Sequence, residues 1–157
     1  QTRRYAGIMD ALSEANVPAS NIREIDYHTV FGSSAESTSS YKPYEELFFP
    51  VNYTAVIGFN DLQSYSAMEI LQKKGYRIPE DISLISFDHL RKTHTYLPPL
   101  TSIADNSEKS IADTAVSILL DKIRNPSSEI SSEVLPVSIF DDHTTGPINE
   151  TFAHSFE

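Results

Sequence analysis

The chain has 157 residues, a length that suits one globular domain. Its formal net charge of −10 should repel nucleic acid, since phosphate contacts need a basic surface. Any role on DNA must therefore come from a separate part. Cysteine is absent, which excludes disulfides, thiol catalysis and thiolate metal sites, and no stretch is long and apolar enough to span a bilayer.

The first third of the chain predicts a helix, a strand and a second helix. A helix is expected over residues 3–16, because Ile8, Leu12 and Ala15 recur on one face and a Val-Pro pair follows. A short strand is predicted over 22–27. A serine-rich loop comes next, and then a helix after Pro43.

The rest of the chain alternates strands with helices. Strands are predicted at 54–59, where the run TAVIGF suggests a buried parallel strand, and at 82–87, 101–103 and 134–140. Helices are predicted over 62–74 and 107–124. The buried side of the first is expected to consist of Leu62, Tyr65, Ala67, Met68, Ile70 and Leu71. The second has one apolar face, made of Ile111, Ala115, Ile118, Leu119 and Ile123. The last strand is expected at an edge because it contains Pro136. From residue 141 the chain is polar and predicted to be poorly ordered.

Such alternation predicts an α/β fold, a parallel sheet with helices on both faces. Ligands of these sheets bind beyond the carboxyl ends of the strands, and Tyr27, Asn60 and Asp88 follow three predicted strands. No phosphate-binding glycine loop, HExxH or GxSxG motif is present. No catalytic residue, metal site or cofactor is therefore predicted.

Polar residues at the strand ends could hold a polyhydroxyl ligand. Asn60 both donates and accepts, Asp88 accepts strongly, and Arg4 offers a planar fork of donors. Each also has a purely structural interpretation. Asn60 and Asp61 could serve merely as a helix cap, and Asp88 could be a turn residue. Arg4 could be a solvated charge, and Tyr27 could be an aromatic residue of the core or its rim.

The run from Thr54 to Leu90 resembles the lactose-repressor/galactose-repressor (LacI/GalR) family of transcription regulators. The shared elements are an apolar strand, Asn-Asp, a helix, Gly-x-x-Ile-Pro-x-Asp-Ile-Ser, a second apolar strand and Phe-Asp. A Pro-Pro-Leu-Thr element follows, and Arg4 with Gly7 matches an upstream R-x-x-G element. The resemblance covers about residues 3–140.

The resemblance implies one subdomain of a periplasmic-binding-protein-like (type I) effector domain. It implies that Arg4, Asn60 and Asp88 contact effector hydroxyls, that Tyr27 stacks on a sugar, and that a homodimer forms. The implied dimer surface is the helix after Asn-Asp with the loop before Pro-Pro, represented by Tyr65, Met68, Tyr96 and Leu97. Residues 1–140 would be the C-terminal part of the effector domain and 141–157 a polar tail, with the DNA-binding head and first subdomain absent.

Three positions depart from the family pattern. Ser86 replaces the usual glycine before Phe-Asp, His89 replaces a common second acid, and the last strand runs into Asp141-Asp142-His143-Thr144-Thr145 instead of a basic residue with Ser or Thr. These departures bear on which effector is bound.

The favoured interpretation is a cytoplasmic, non-enzymatic regulatory module. A small-molecule effector, a sugar or sugar derivative, would change operator affinity in the intact protein, which would reach DNA only through its N-terminal domain. The main alternative is a sugar-binding protein of a transport system. A third is a small glycoside-processing hydrolase, for which no catalytic group can be named.

Overall fold

The computed structural model describes residues 3–25, 46–106, 110–129 and 132–156. The helices in these ranges are α1 (Arg3–Glu14), α2 (Asp61–Lys73), α3 (Ile111–Arg124) and the short α4 (Glu150–Ala153). The strands are β1 (Ala55–Ile57), β2 (Ser83–Phe87), β3 (Ser102–Asp105) and β4 (Val137–Phe140). Short 3-10 turns lie at Ala19–Asn21, Leu90–Lys92 and His154–Phe156.

The described strands form an open sheet in the order β1-β2-β3-β4. β1, β2 and β3 are parallel, with Val56 beside Leu84 and Phe87 beside Ile103. β4 runs antiparallel to β3 at the edge, with Ile139 opposite Ile103. The predicted α/β class and the edge position of the last strand are confirmed. The antiparallel direction of β4 is a difference, because hydrophobic periodicity carries no information about strand direction.

The strand predicted at 22–27 is not found over its described part, since residues 22–25 belong to no strand. Ile25 instead packs against the cluster of Phe48, Ala67 and Ile70. Arg23 fixes the segment by donating to backbone carbonyls, among them Pro50 O at 3.1 Å. Tyr27 and most of the helix predicted after Pro43 lie outside the described residues.

The sheet core lies under β2. Met68, Leu84 and Leu100 are nearly inaccessible and form one cluster, against which Val56, Tyr65 and Ile78 pack. The prediction that the run at 54–59 is a buried strand is wrong, because β1 occupies the edge of the described sheet and Ile57 is 42% exposed.

Helix α2 buries four of the six residues that were predicted on its buried side, namely Ala67, Met68, Ile70 and Leu71. Its buried face also includes Asp61 and Ser64, which lie two turns and one turn before Met68 and which the prediction omitted. Leu62, which was predicted on the buried side, is 68% exposed. A step of one residue turns a helix by about 100°, so the burial of Asp61 carries Leu62 away from the sheet.

The segment after β4 is not poorly ordered as predicted. Thr144 lies beside β2, where Leu84 N donates to Thr144 O at 2.7 Å and Thr144 Oγ1 donates to Leu84 O at 2.6 Å. Further along, Asn149 Nδ2 donates to Asp81 at 3.3 Å, and the Phe152 ring lies 5.9 Å from that of Tyr76. The sequence predicted disorder from polarity, but these polar groups pair with the backbone of β2 and with the Asp81 side chain just before it.

The carboxylate of Asp81 is the main polar anchor on this side. Hydrogen bonds from the Arg77 side chain, against the opposing effect of desolvation, lower the pKa of Asp81 to about 2. Arg77 and Asp81 form an ion pair between residues four apart in sequence, and Arg77 Nε lies 2.8 Å from Asp81 Oδ2. Among the helices in the described ranges, none has the length and apolar character needed to cross a membrane.

Candidate functional site

The carboxyl ends of β1 and β2 lie side by side, because the two strands are parallel neighbours. Asn60 follows β1 and Asp88 follows β2. Arg4, from α1, reaches both ends: its Nη2 lies 2.7 Å from Asp88 Oδ1, and its Nη1 donates to Phe59 O at 3.0 Å. The structure therefore joins Arg4 directly to Asp88 and holds it against the residue before Asn60.

Two aromatic rings frame the Arg4 guanidinium. Its central carbon lies 5.4 Å from the Phe59 ring centroid and 5.1 Å from that of Phe87, within the range of cation–π attraction. The Arg4 and Asp88 side chains are 40% and 38% exposed. An ion pair so open to solvent adds about 0–1 kcal/mol to stability. Its charged atoms thus remain within reach of a ligand.

Asn60 is a helix cap in this structure. Its Oδ1 accepts a hydrogen bond from Gln63 N at 2.9 Å, and its backbone carbonyl accepts from Ser64 Oγ at 3.0 Å. The capping alternative is thus realised. Since the cap uses Oδ1, the Asn60 amide nitrogen is the group with which this residue would donate to a ligand.

The turn that carries Asp88 has an unusual backbone. Asp88 has φ +99° and His89 has φ +50°, a left-handed region that costs free energy for residues other than glycine. Three N–H groups are bonded across this turn: Asp88 N to Ile103 O at 2.9 Å, His89 N to Ser102 Oγ at 3.0 Å, and Leu90 N to Asp61 Oδ2 at 2.6 Å. Asp88 is therefore both a turn residue and one half of the ion pair.

The structure accounts for Ser86 in place of the usual glycine. Ser86 is fully buried, and its Oγ lies 2.7 Å from Ser64 Oγ on α2. Room for this serine pair depends on Gly58 in the β1 end, because a Cβ there would come within 1.8 Å of Ser64 Oγ. The β1 and β2 ends are thus joined below the site by a buried polar contact.

The other two departures from the family pattern lie close together. The His89 ring stacks on Phe140 at a centroid distance of 4.1 Å, and Arg91 pairs with Asp142 at 2.8 Å. A cavity of about 190 Å³ is lined by His89, Arg91, Thr95 and Asp142. Burial raises the pKa of Asp142, but hydrogen bonds from Arg91 and from the Leu100 backbone outweigh it, and the net pKa is lowered.

Sequence reasoning missed Phe59, Asp61 and Ser102 as parts of this site. Phe59 precedes Asn60 and could have been found as an aromatic at a strand end. Asp61 was interpreted only as a possible cap, whereas its side chain is 1% exposed and bonded to the turn after β2. In the described part of the chain, no group of three or more His, Cys, Asp or Glu side chains could hold a metal ion.

A separate groove of about 730 Å³ runs along the outer face of α2. Leu62, Tyr65, Leu97 and Pro98 line it, and the Tyr65 hydroxyl donates to Pro98 O at 3.1 Å. Tyr96, close by in sequence, is 81% exposed.

One residue expected on this outer surface lies elsewhere. Met68 was expected both on the buried side of α2 and on the dimer surface, and the structure supports only the buried position. Met68 touches the groove only from below, because it is 5% exposed and packs against Leu84 and Leu100.

An open α/β sheet with an arginine, an aspartate and an asparagine at neighbouring strand ends is an arrangement typical of ligand-binding domains, because ligands of such sheets lie beyond the carboxyl ends of the strands. Residues 1–145 match the family model of the periplasmic binding protein-like domain. The chain therefore belongs to that family, within which it is an effector-binding domain of the LacI/GalR type.

Individual relatives agree with this assignment. The chain is 34% identical over 127 residues to the HTH-type transcriptional repressor PurR of Aliivibrio salmonicida, covering 80% of this chain and 36% of the repressor. A LacI family transcriptional regulator from Enterococcus faecium with bound ribose superposes with a TM-score of 0.74 at 25% identity, covering 93% of this chain and 52% of that one.

A further solved structure is similar. It is a periplasmic binding protein/LacI transcriptional regulator from Alkaliphilus metalliredigens QYMF complexed with D-xylulofuranose, with a TM-score of 0.62 at 26% identity, covering 92% of this chain and 51% of that chain. The chain thus spans about a third to a half of the length of these relatives.

Proposed function

We propose that Arg4, Asn60 and Asp88 bind a small-molecule effector, a sugar or sugar derivative, and that binding regulates transcription in the intact protein. The observation that carries this proposal is the Arg4–Asp88 pair at 2.7 Å, formed at the carboxyl ends of two parallel strands and framed by two phenylalanine rings.

The chemistry of this cluster suits a polyhydroxyl ligand. Each sugar hydroxyl both donates and accepts, and the cluster supplies a carboxylate acceptor beside guanidinium and amide donors. The exposed Phe59 ring adds an apolar surface at the rim. The bound ribose and xylulofuranose of the two structural relatives support a sugar-like effector for this chain. Tyr27 would add a stacking ring.

The regulatory part of the proposal concerns the intact protein. A net charge of −10 means that this domain is unsuited to contacting DNA, so operator binding would lie in another part of the protein. An effector would then act by changing the balance between two states of differing operator affinity. A non-enzymatic, cytoplasmic protein fits this role, since the relatives are named as transcription regulators. A transport-type sugar-binding protein is the less favoured alternative.

Replacement of Asp88 by alanine should weaken effector binding by about 1–3 kcal/mol, the scale for a lost hydrogen bond to a charged group. The intact protein would be titrated with D-ribose, and then with other pentoses, by calorimetry. Asp10→Ala is the matched control, because it removes an exposed aspartate from the same helix as Arg4. Equal affinities of the wild type and Asp88→Ala would refute the assigned role of Asp88.

We also propose that the outer groove of α2 is the homodimer surface, with Leu62, Tyr65, Tyr96 and Leu97 as its main contacts. Leu62 is 68% exposed at the edge of a mainly apolar groove, and an apolar surface of this kind favours association.

The variant Leu62→Lys of the intact protein should weaken the dimer about tenfold or more in sedimentation, since a charge would enter an apolar contact. Val134→Lys, at a position 90% exposed, is the control and should leave the dimer intact. A Leu62→Lys protein as dimeric as the control would place the interface elsewhere.

A further inference from the structure

We infer that Asp61 is a positioning residue for the effector site, acting on Asp88 through the turn that follows β2. This inference rests on the proposed function. Asp61 does not contact a ligand itself, because its side chain is 1% exposed beneath the site. Its effect runs through the backbone N–H groups of His89 and Leu90, which directly follow Asp88.

Both carboxylate oxygens of Asp61 are used by this turn. Oδ2 accepts from Leu90 N at 2.6 Å, and Oδ1 accepts from Ser102 Oγ at 2.8 Å. Ser102 Oγ in turn accepts from His89 N at 3.0 Å. One buried carboxylate therefore holds the two N–H groups that directly follow Asp88, one of them through a serine hydroxyl.

The turn needs such an anchor because its backbone is unfavourable by itself. Asp88 and His89 both have positive φ, which side-chain-bearing residues adopt only where surrounding contacts hold them. A charged acceptor makes shorter and stronger hydrogen bonds than a neutral one. Asp61 can thus offset the local strain and keep the Asp88 carboxylate aimed at Arg4.

A helix-capping role does not explain this carboxylate. The cap of α2 is provided by Asn60 Oδ1, which accepts from Gln63 N, whereas the described bonds of Asp61 go to residues 90 and 102. Asn60 and Asp61 are adjacent, so one dipeptide presents a side chain at one strand end and fixes the backbone of the next. The two ends are therefore coupled as one unit.

The test uses Asp61→Asn and Ser102→Ala in the intact protein. An amide keeps one acceptor but turns a donor toward groups that already donate, and alanine removes the relay to His89 N. In both variants we expect hydrogen exchange to accelerate at His89 and Leu90, and D-ribose affinity to fall about tenfold, the scale for losing an outer partner of a binding residue. Ser102→Thr keeps the hydroxyl and should restore affinity relative to Ser102→Ala.

Tyr53→Phe is the matched control, because it removes a partly buried hydroxyl that donates to Phe48 O at 2.9 Å, just before β1 and so at the opposite end of the sheet from this turn. It should lower stability yet leave ribose affinity and exchange at residues 89 and 90 unchanged. Equal loss of affinity in Tyr53→Phe would show a purely structural effect and overturn the inference. Wild-type affinity in Asp61→Asn and Ser102→Ala would also overturn it.

The two proposals fail in different ways. A wild-type protein that binds neither D-ribose nor another sugar would contradict the proposed function. The exchange measurement needs no ligand and then decides the anchoring role by itself. Unchanged exchange at His89 and Leu90 in Asp61→Asn would overturn the inference whatever the ligand result.

Discussion

Replacing Leu84 with alanine is expected to lower the free energy of unfolding by about 2–5 kcal/mol, the range for removing a large side chain from a packed core. Leu84 is completely buried at the centre of β2, against Met68 and Leu100. β2 lies between β1 and β3 and is hydrogen-bonded to both. Because the strand is held on both sides, it cannot move easily to fill the cavity that the lost side chain would leave. Urea unfolding followed by circular dichroism would measure the loss.

Val137→Ala is a suitable comparison, because Val137 is a strand residue of the same sheet but is 64% exposed. Its replacement should change stability by less than about 0.5 kcal/mol, as surface substitutions usually do. If the two variants lost similar stability, Leu84 would not be the centre of the core.

The sequence predicted the strand ends well because the relevant signals are local. Runs such as TAVIGF and ISLISF indicate strands, and parallel neighbours must place their following residues together. Proximity of Asn60 and Asp88 follows from that rule. The position of Arg4 came from the family motif, and its contact with Asp88 at 2.7 Å spans 84 residues that no local pattern connects.

The parts that sequence reasoning missed depend on long-range contacts. Asp61 resembles any acidic residue at a helix start until its bonds to residues 90 and 102 are seen. The outward position of Leu62 follows from that same burial, since fixing Asp61 fixes the rotation of α2. Thr144 was assigned to a loose tail because its partner, Leu84, lies 60 residues earlier.

The exposed apolar stripe of α3 should make the 157-residue chain self-associate. The sequence predicted a stripe of Ile111, Ala115, Ile118 and Leu119 with a second copy as its partner, or packing onto its own sheet as the alternative. In the structure, Thr114 is the buried residue of α3, whereas Ile111, Leu119 and Ile123 are 63%, 57% and 63% exposed. The described part of the chain therefore does not bury this stripe.

Burial of three such side chains would contribute roughly 4.5–9 kcal/mol, at about 1.5–3 kcal/mol each, before the cost of association is subtracted. We therefore expect sedimentation velocity at high micromolar concentration to show the 157-residue chain as a dimer or larger. The double variant Leu119→Glu, Ile123→Glu should be monomeric, because each carboxylate would lose its hydration inside an apolar contact.

Ser117→Glu provides the control for added charge, since it places a carboxylate on the same exposed helix but about 200° around the axis from Leu119. It should leave the association unchanged, while circular dichroism checks that α3 stays helical in each variant. A monomeric wild-type chain with α3 helical would contradict the prediction. So would equal dissociation by Ser117→Glu, because repulsion between acidic chains, rather than loss of the apolar contact, would then explain the effect of the double variant.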